Sequence, residues 1–385
     1  MKISHLLLLL LLFPFTNRTN AQAKDSQKIL QIVYTSDQHY GITRKNFQGA
    51  ENVNSRIVNK VLVAKINSLP GLSLPQDNGV GAGKKIGYID YLAQTGDIAN
   101  RQEVPLQSAT VSWHEFAHDY LKGLTTKDHR NKKTRFLIVP GNHDVSNAIG
   151  HYKSLQPLTD ATAMVSIYNL MMHPAVPKTN ATFNYATDKV NYSRDISGIH
   201  FMFITIWPDS LTRIWMERDL QQVSTATPVI IFAHDPPDGD PKHFMNPVAP
   251  YTINAKDKFE NLLTEKFKDS VTVKKDLNDK IEQRGFVAFI KKHPNIKAYF
   301  HGHSNANEYY YYKGPDNDIN LPAFRVDSPM KGKSSSTDET KLSFQFIAID
   351  TRSKTMTVRE CLWDTAPDAP ASPLVWGESS TISLK

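Results

Sequence analysis

Short apolar runs recur along almost the whole chain, and several are bounded by Gly, Pro, Asn or Asp. The clearest are Ile29–Tyr34, Tyr91–Gln94, Phe136–Val139, Ile199–Ile206, Val229–Ala233, Ile296–Phe300, Phe344–Ile349 and Met356–Val358. Their length, their Ile, Val, Phe and Tyr content and their polar boundaries predict β-strands. Between them lie segments of helical period. Phe47–Leu69 carries Val53, Ile57, Val61 and Ala64 at spacings of four, four and three, which predicts a helix with those residues inward. Ala109–Leu124, Leu211–Val223 and Lys275–Lys292 predict three more. Strands and helices neither alternate strictly nor separate into blocks, so the expected class is a layered α/β or α+β fold. Pro70–Lys85 and Gly314–Thr340 are expected as long loops, and Asp364–Pro373 as extended surface chain.

Composition narrows this picture modestly. Of 385 residues, 40% are hydrophobic and 22% charged, which excludes disordered and collagen-like classes. One cysteine, Cys361, excludes an internal disulfide and any zinc site built on several thiolates. The formal charge of +7 favours anionic partners. No basic stripe with interleaved aromatics accompanies it, so nucleic acid is not an expected partner.

The first residues read as something other than fold. Lys2 and His5 precede Leu6–Leu12, polar residues follow, and Ala21-Gln22-Ala23 ends the stretch. The apolar run is far short of the roughly 20 residues that span a bilayer. The expectation is a secretory signal over 1–23, followed by one domain over 24–385 that is exported to a periplasm or the medium without a membrane span.

Five short segments carry the chemistry, each just after a predicted strand. They are Asp37-Gln38-His39, Gly96-Asp97, Gly141-Asn142-His143-Asp144, His234-Asp235-Pro236 and His301-Gly302-His303-Ser304-Asn305. In open α/β sheets ligands gather outside the carboxyl ends of strands. The segments can therefore converge although about 270 residues separate the first from the last. Carboxylate, imidazole and amide donors without thiolate suit Mn, Fe, Zn or similar divalent ions. Two such ions sharing one carboxylate form a clamp for phosphoryl transfer.

The ordered series D-x-H, G-D, G-N-H-D, H and G-H-x-N resembles the calcineurin-like metallophosphoesterase superfamily from Asp37 to Asn305. The resemblance implies a four-layer α/β/β/α sandwich with a dinuclear metal centre. By position it implies that Asp37 and His39 bind the first ion, that Asp97 bridges, and that Asn142, His234 and His303 bind the second. His143 matches the general acid, and Asp144 either orients it or caps a turn. The family's closing pattern is G-H-x-H, and Asn305 stands where its second histidine would be. Either Asn305 completes the first site through its amide oxygen, or His301 does so as part of an H-x-H pair. Purple acid phosphatases, in the same superfamily, have tyrosine three residues after the bridging aspartate. Here that residue is Asn100, which argues against a tyrosinate–iron centre and leaves Asn100 and Arg101 to rim the site. The implied activity is hydrolysis of a small phosphate ester by in-line attack of a metal-bridging hydroxide. A phosphodiesterase and a catalytically silent binding protein on the same fold are the alternatives.

Overall fold

The computed structural model describes residues 29–100, 107–146, 160–240, 243, 278–369 and 371–385. The leader over 1–23 and Arg101 lie outside these residues. In chain order the strands and helices are β1 (Ile29–Thr35), β2 (Thr43–Phe47), β3 (Ala50–Asn54), α1 (Ser55–Ser68), β4 (Tyr91–Gln94), α2 (Ala109–Phe116), β5 (Arg135–Ile138), α3 (Asn142–Ser146) and α4 (Thr162–Met172). They continue with β6 (Tyr192–Ile196), β7 (Ile199–Ile204), α5 (Ser210–Leu220), β8 (Val229–Ala233), α6 (Asn278–Lys292), β9 (Ile296–His301), β10 (Glu308–Tyr312), β11 (Leu321–Arg325), β12 (Ser343–Asp350), β13 (Thr355–Leu362) and β14 (Val375–Ser383).

Two six-stranded sheets hold the molecule together. The first runs β14-β13-β12-β1-β4-β5 and the second β10-β11-β9-β8-β7-β6. In the first, β1, β4 and β5 are parallel, with Thr35 beside Gln94 and Gln94 beside Ile138. In the second, β7, β8, β9 and β11 are parallel, with Ile204 beside Ala233 and Phe232 beside Phe300. Register thus brings the carboxyl ends of each parallel set to one edge. Every residue of β4, β7 and β8 is buried, as expected for parallel strands covered on both faces.

The sheets face one another across an aromatic core. Tyr34 of β1 meets Phe232 of β8 and Phe300 of β9 edge-on, each at 5.4 Å between ring centres. Phe232 and Phe300 stack at 4.6 Å. Helices cover the outer sides. On the second sheet, Phe286 of α6 packs against Tyr299 of β9 and against Trp207. On the first, the backbone N–H of Ile138 in β5 donates to Met171 Sδ of α4. This is the α/β/β/α order.

Two expectations change in detail. Phe47–Leu69 is not helical throughout, because Gln48 and Gly49 both take positive φ and turn β2 into β3 before Asn54 caps α1. The inward stripe of α1 is Val58, Leu62 and Ile66, while Ile57 is 55% exposed. Two apolar stripes lie side by side on this helix, and spacing alone does not choose between them. The Gly314–Thr340 loop also contains β11, which pairs with β9 and β10. No helix among the described residues is long and apolar enough to cross a membrane.

Candidate metal centre

The five segments leave their strands at the shared edge and interlock through backbone bonds. Asp37 N donates to Gly96 O at 2.9 Å, His39 N to Asp97 O at 2.9 Å, and Gly302 N to His234 O at 3.1 Å. Asp37, His39, Asp97, His303 and Asn305 all take positive φ, between 45° and 61°. Such conformations cost energy for residues other than glycine and persist where their surroundings fix them. Here they turn successive side chains inward from strand ends. The glycines make room: a Cβ on Gly96 would lie 2.0 Å from Gly141 N, and one on Gly302 would lie 2.3 Å from Asp37 Oδ2.

One set of donor atoms gathers on His234 Nε2. It lies 2.9 Å from Asn142 Oδ1, 3.2 Å from His303 Nδ1 and 3.4 Å from Asp97 Oδ2. A second set gathers on His39 Nε2, 3.6 Å from Asp37 Oδ1 and 3.7 Å from Asp97 Oδ2. Asp97 Oδ2 belongs to both. Ligands about 2.1 Å from one ion stand roughly 3.0–3.5 Å apart, so the first set has coordination spacing and the second is slightly wider.

The far side of each imidazole is committed elsewhere. His39 Nδ1 donates to Asn100 Oδ1 at 2.9 Å and His234 Nδ1 to Thr95 O at 2.6 Å. His303 Nε2 donates to Asp240 Oδ2 at 2.8 Å. Outer partners of this kind fix the ring and turn the remaining nitrogen inward. Asp37 Oδ1, His39 Nε2 and Asn305 Oδ1 are buried without a hydrogen-bond partner. Buried polar atoms are rarely left so. All three belong to the residues expected around the first ion; His39 Nε2 and Asp37 Oδ1 stand 3.6 Å apart, and a cation between them would satisfy both.

Electrostatics point the same way. Burial opposes ionisation of Asp97, yet the imidazoles of His234, His143 and His39 hold its carboxyl well below the usual range. Burial likewise disfavours a charged His234, and Asp97 and Asp37 push its pKa up to about 10. The buried acids favour positive charge, which protonated His234 supplies here and a divalent cation would supply in its place.

The family model for the calcineurin-like phosphoesterases matches residues 31–307. The chain belongs to that family. Among curated proteins no sequence matches. Solved structures similar to this chain include phosphopantetheinyl hydrolase from Mycobacterium tuberculosis, at 11% identity and TM-score 0.33, covering 78% of this chain and 91% of that one. Another is the calcineurin-like phosphoesterase YfkN from Bacillus subtilis, at 13% identity and TM-score 0.29, covering 93% and 91%. A third is Vps29 complexed with Zn2+ from Entamoeba histolytica, at 8% identity and TM-score 0.30, covering 92% and 100%. The family assignment rests on the sequence match, and these overlaps add no argument to it.

Around these donor sets the remaining residues separate by position. His143 stands at its rim, with Nε2 4.0 Å from Asp97 Oδ2 and its backbone N–H bound to Asp97 Oδ1 at 2.8 Å. Asp144 is bound by neighbouring backbone. It accepts the backbone N–H groups of Ile98, Ala99 and Gly141 at 2.9–3.1 Å, the turn-capping alternative. Burial and the neighbouring Asp97 charge raise its pKa to about 7. Both nitrogens of His301 are engaged outside the two donor sets, Nδ1 with Gly302 O at 3.0 Å and Nε2 with Tyr310 Oη at 2.8 Å. Trp207 is fully buried, and Asp209 caps α5.

Sequence reasoning passed over Asp240 and His243. His243 Nδ1 lies 2.6 Å from Asp235 Oδ2, and its ring lies 4.9 Å from that of His303. Against the penalty of burial, the His243 and His303 imidazoles hold the Asp235 carboxyl below its ordinary pKa. The signal was present: residues 234–243 contain two histidines and three aspartates.

Proposed function

We propose that this protein hydrolyses phosphate esters at a centre of two divalent ions. Asp37, His39 and Asn305 would hold one ion, Asn142, His234 and His303 the other, and Asp97 both. The shared oxygen carries the reading, because Asp97 Oδ2 faces His39 Nε2 at 3.7 Å and His234 Nε2 at 3.4 Å. Ions held there would supply Lewis acidity, making water more acidic and neutralising charge on the phosphoryl group. The oxygen and nitrogen donors suit Mn, Fe, Zn or a similar metal.

The chain's own residues supply the rest. Asn100, Thr95 and Asp240 keep three imidazoles aimed inward through their outer N–H groups. Asp144 ties the Asp97 turn to the Asn142 turn by accepting backbone N–H groups from both. His143 at the rim is the general acid that gives a proton to the departing alcohol. The family match supports phosphoester chemistry, and the leader Leu6–Leu12 supports action outside the cytoplasm, which N-terminal sequencing of exported protein would test.

The decisive assay offers purified protein a chromogenic monoester and diester with Mn, Zn, Fe and Co in turn. Metal-dependent release of the alcohol from either ester is expected, and no release under any condition would sink the reading. His143→Ala should keep its ions and lose turnover. A folded variant without ions would contradict the role given to His143.

A further inference from the structure

We propose that Lys331 binds an unsubstituted oxygen of the substrate phosphoryl group beside His143, which biases the centre toward phosphomonoester dianions. The proposal rests on the phosphoesterase reading above and adds a substrate class to it.

The backbone of residues 326–335 is fixed on the ligand-bearing segments. β11 runs parallel to β9, so the chain leaves it at the same edge as His303, and Val326 N donates to His301 O at 3.1 Å. Ser328 Oγ donates to Asp37 O at 2.8 Å and accepts the N–H groups of Met330 at 3.1 Å and Lys331 at 3.0 Å. Lys333 N donates to Asn305 O at 2.5 Å. Beneath the loop, the buried Arg44 guanidinium donates to Pro329 O at 2.9 Å and to Ser335 O. The stretch is thus pinned to Asp37 and Asn305, and the Lys331 side chain has a defined start.

From that start, Lys331 Nζ lies 3.4 Å from His143 Nε2. An ammonium has donors and no acceptor. In the role of general acid, His143 also donates from Nε2. Two donors from different elements then face one place, where an anionic oxygen would accept from both. Lysine serves phosphate as a compact point charge with three donors. A phosphomonoester dianion presents three unsubstituted oxygens, whereas a diester presents two and one charge fewer. The added cation therefore gains more from the monoester. Neither composition nor periodicity singles out this lysine, because only the course of the loop brings it to His143.

The test compares wild type, K331Q and K331R, each loaded with Mn2+, on p-nitrophenyl phosphate and bis(p-nitrophenyl) phosphate. Inorganic phosphate binding is measured by calorimetry in parallel. Loss of a charged hydrogen bond predicts a kcat/KM for the monoester lowered roughly 10- to 100-fold in K331Q, with the diester changed less than about threefold. Phosphate affinity should fall with the monoester value, K331R should recover most of both, and metal content should not change. Equal losses on the two esters, or phosphate bound as tightly by K331Q as by wild type, would overturn the proposal. Loss of the ions or of the fold in both variants would overturn it too, in favour of a structural role. If wild type cleaves neither ester, the phosphoesterase reading fails by itself, and the phosphate titration still decides whether Lys331 binds the anion.

Discussion

Replacing Gly141 with alanine adds a single methyl group where the two ligand sets come closest. Its Cβ would stand 2.3 Å from Asp97 Oδ1, 2.5 Å from Asp97 N and 2.8 Å from His234 Cε1, against 3.4 Å for ordinary contact. The backbone fixes the Cβ, so no rotamer relieves the clash. Asp97 has little freedom to yield. Its Oδ1 accepts the His143 N–H at 2.8 Å, and the next two backbone N–H groups are bound by Asp144. Relief therefore requires the Asp97 turn to retreat by about 1 Å, and overpacking of this kind costs about 1–3 kcal/mol. The same retreat exceeds the tolerance of about 0.2 Å on a metal–ligand distance. Because Asp97 faces both sets, both ions should weaken together. Urea unfolding with chelator present measures the first effect, and calorimetric titration with Mn2+ measures the second. Unchanged affinity for both ions alongside the stability loss would refute the convergence on Asp97, and unchanged stability would refute the packing argument.

Three other predictions concern the supports of the site. Asp144→Ala leaves three buried N–H groups without an acceptor and should cost about 3 kcal/mol or more in urea unfolding. Asp144→Asn keeps one oxygen and should cost less; the opposite order would contradict the capping role. Asp327 lies under the Lys331 loop, where burial pushes its pKa up to about 7. Unfolded aspartate titrates near 3.9, so from about pH 4 to 7 only the folded chain keeps the proton, and stability falls as pH rises through that window. The stability of Asp327→Asn relative to wild type should rise there by up to about 1.4 kcal/mol per pH unit, whereas a pH-independent difference would mean that Asp327 is ionised throughout. Asp77 makes a two-pronged ion pair, at 2.7 and 2.8 Å, with Arg359, whose side chain is fully buried. Asp77→Ala strands that charge and should cost about 3–5 kcal/mol in thermal or urea unfolding, a loss of under 1 kcal/mol showing that water reaches the guanidinium.

The readable parts of the sequence were those where burial is continuous. Tyr91–Gln94 and Val229–Ala233 coincide with β4 and β8, since a strand covered on both faces is an unbroken apolar run. β2 and β14 were not legible. Thr43–Phe47 is mostly polar, and Val375–Ser383 lies at the sheet edge with mostly exposed residues, so neither carries a burial signal. β11 was hidden by Pro322 and its loop-like flanks. For the site, the segments from Asp37 to His303 were legible because each follows an apolar strand at a sheet edge. Asn100, Asp240, His243 and Lys331 were less so, or not at all, because their places depend on loop paths that no periodicity encodes. His301 and His303 share a strand-like spacing, and the turn at Gly302, where His303 takes φ of 61°, sends them to different partners.

The most direct test is equilibrium metal analysis of the wild-type protein and Asp97→Ala. Two ions per wild-type chain, and loss of both in the variant, are the expected result. A wild-type chain that holds one ion or none, or a folded Asp97→Ala that retains two, would contradict a centre built around one shared carboxylate.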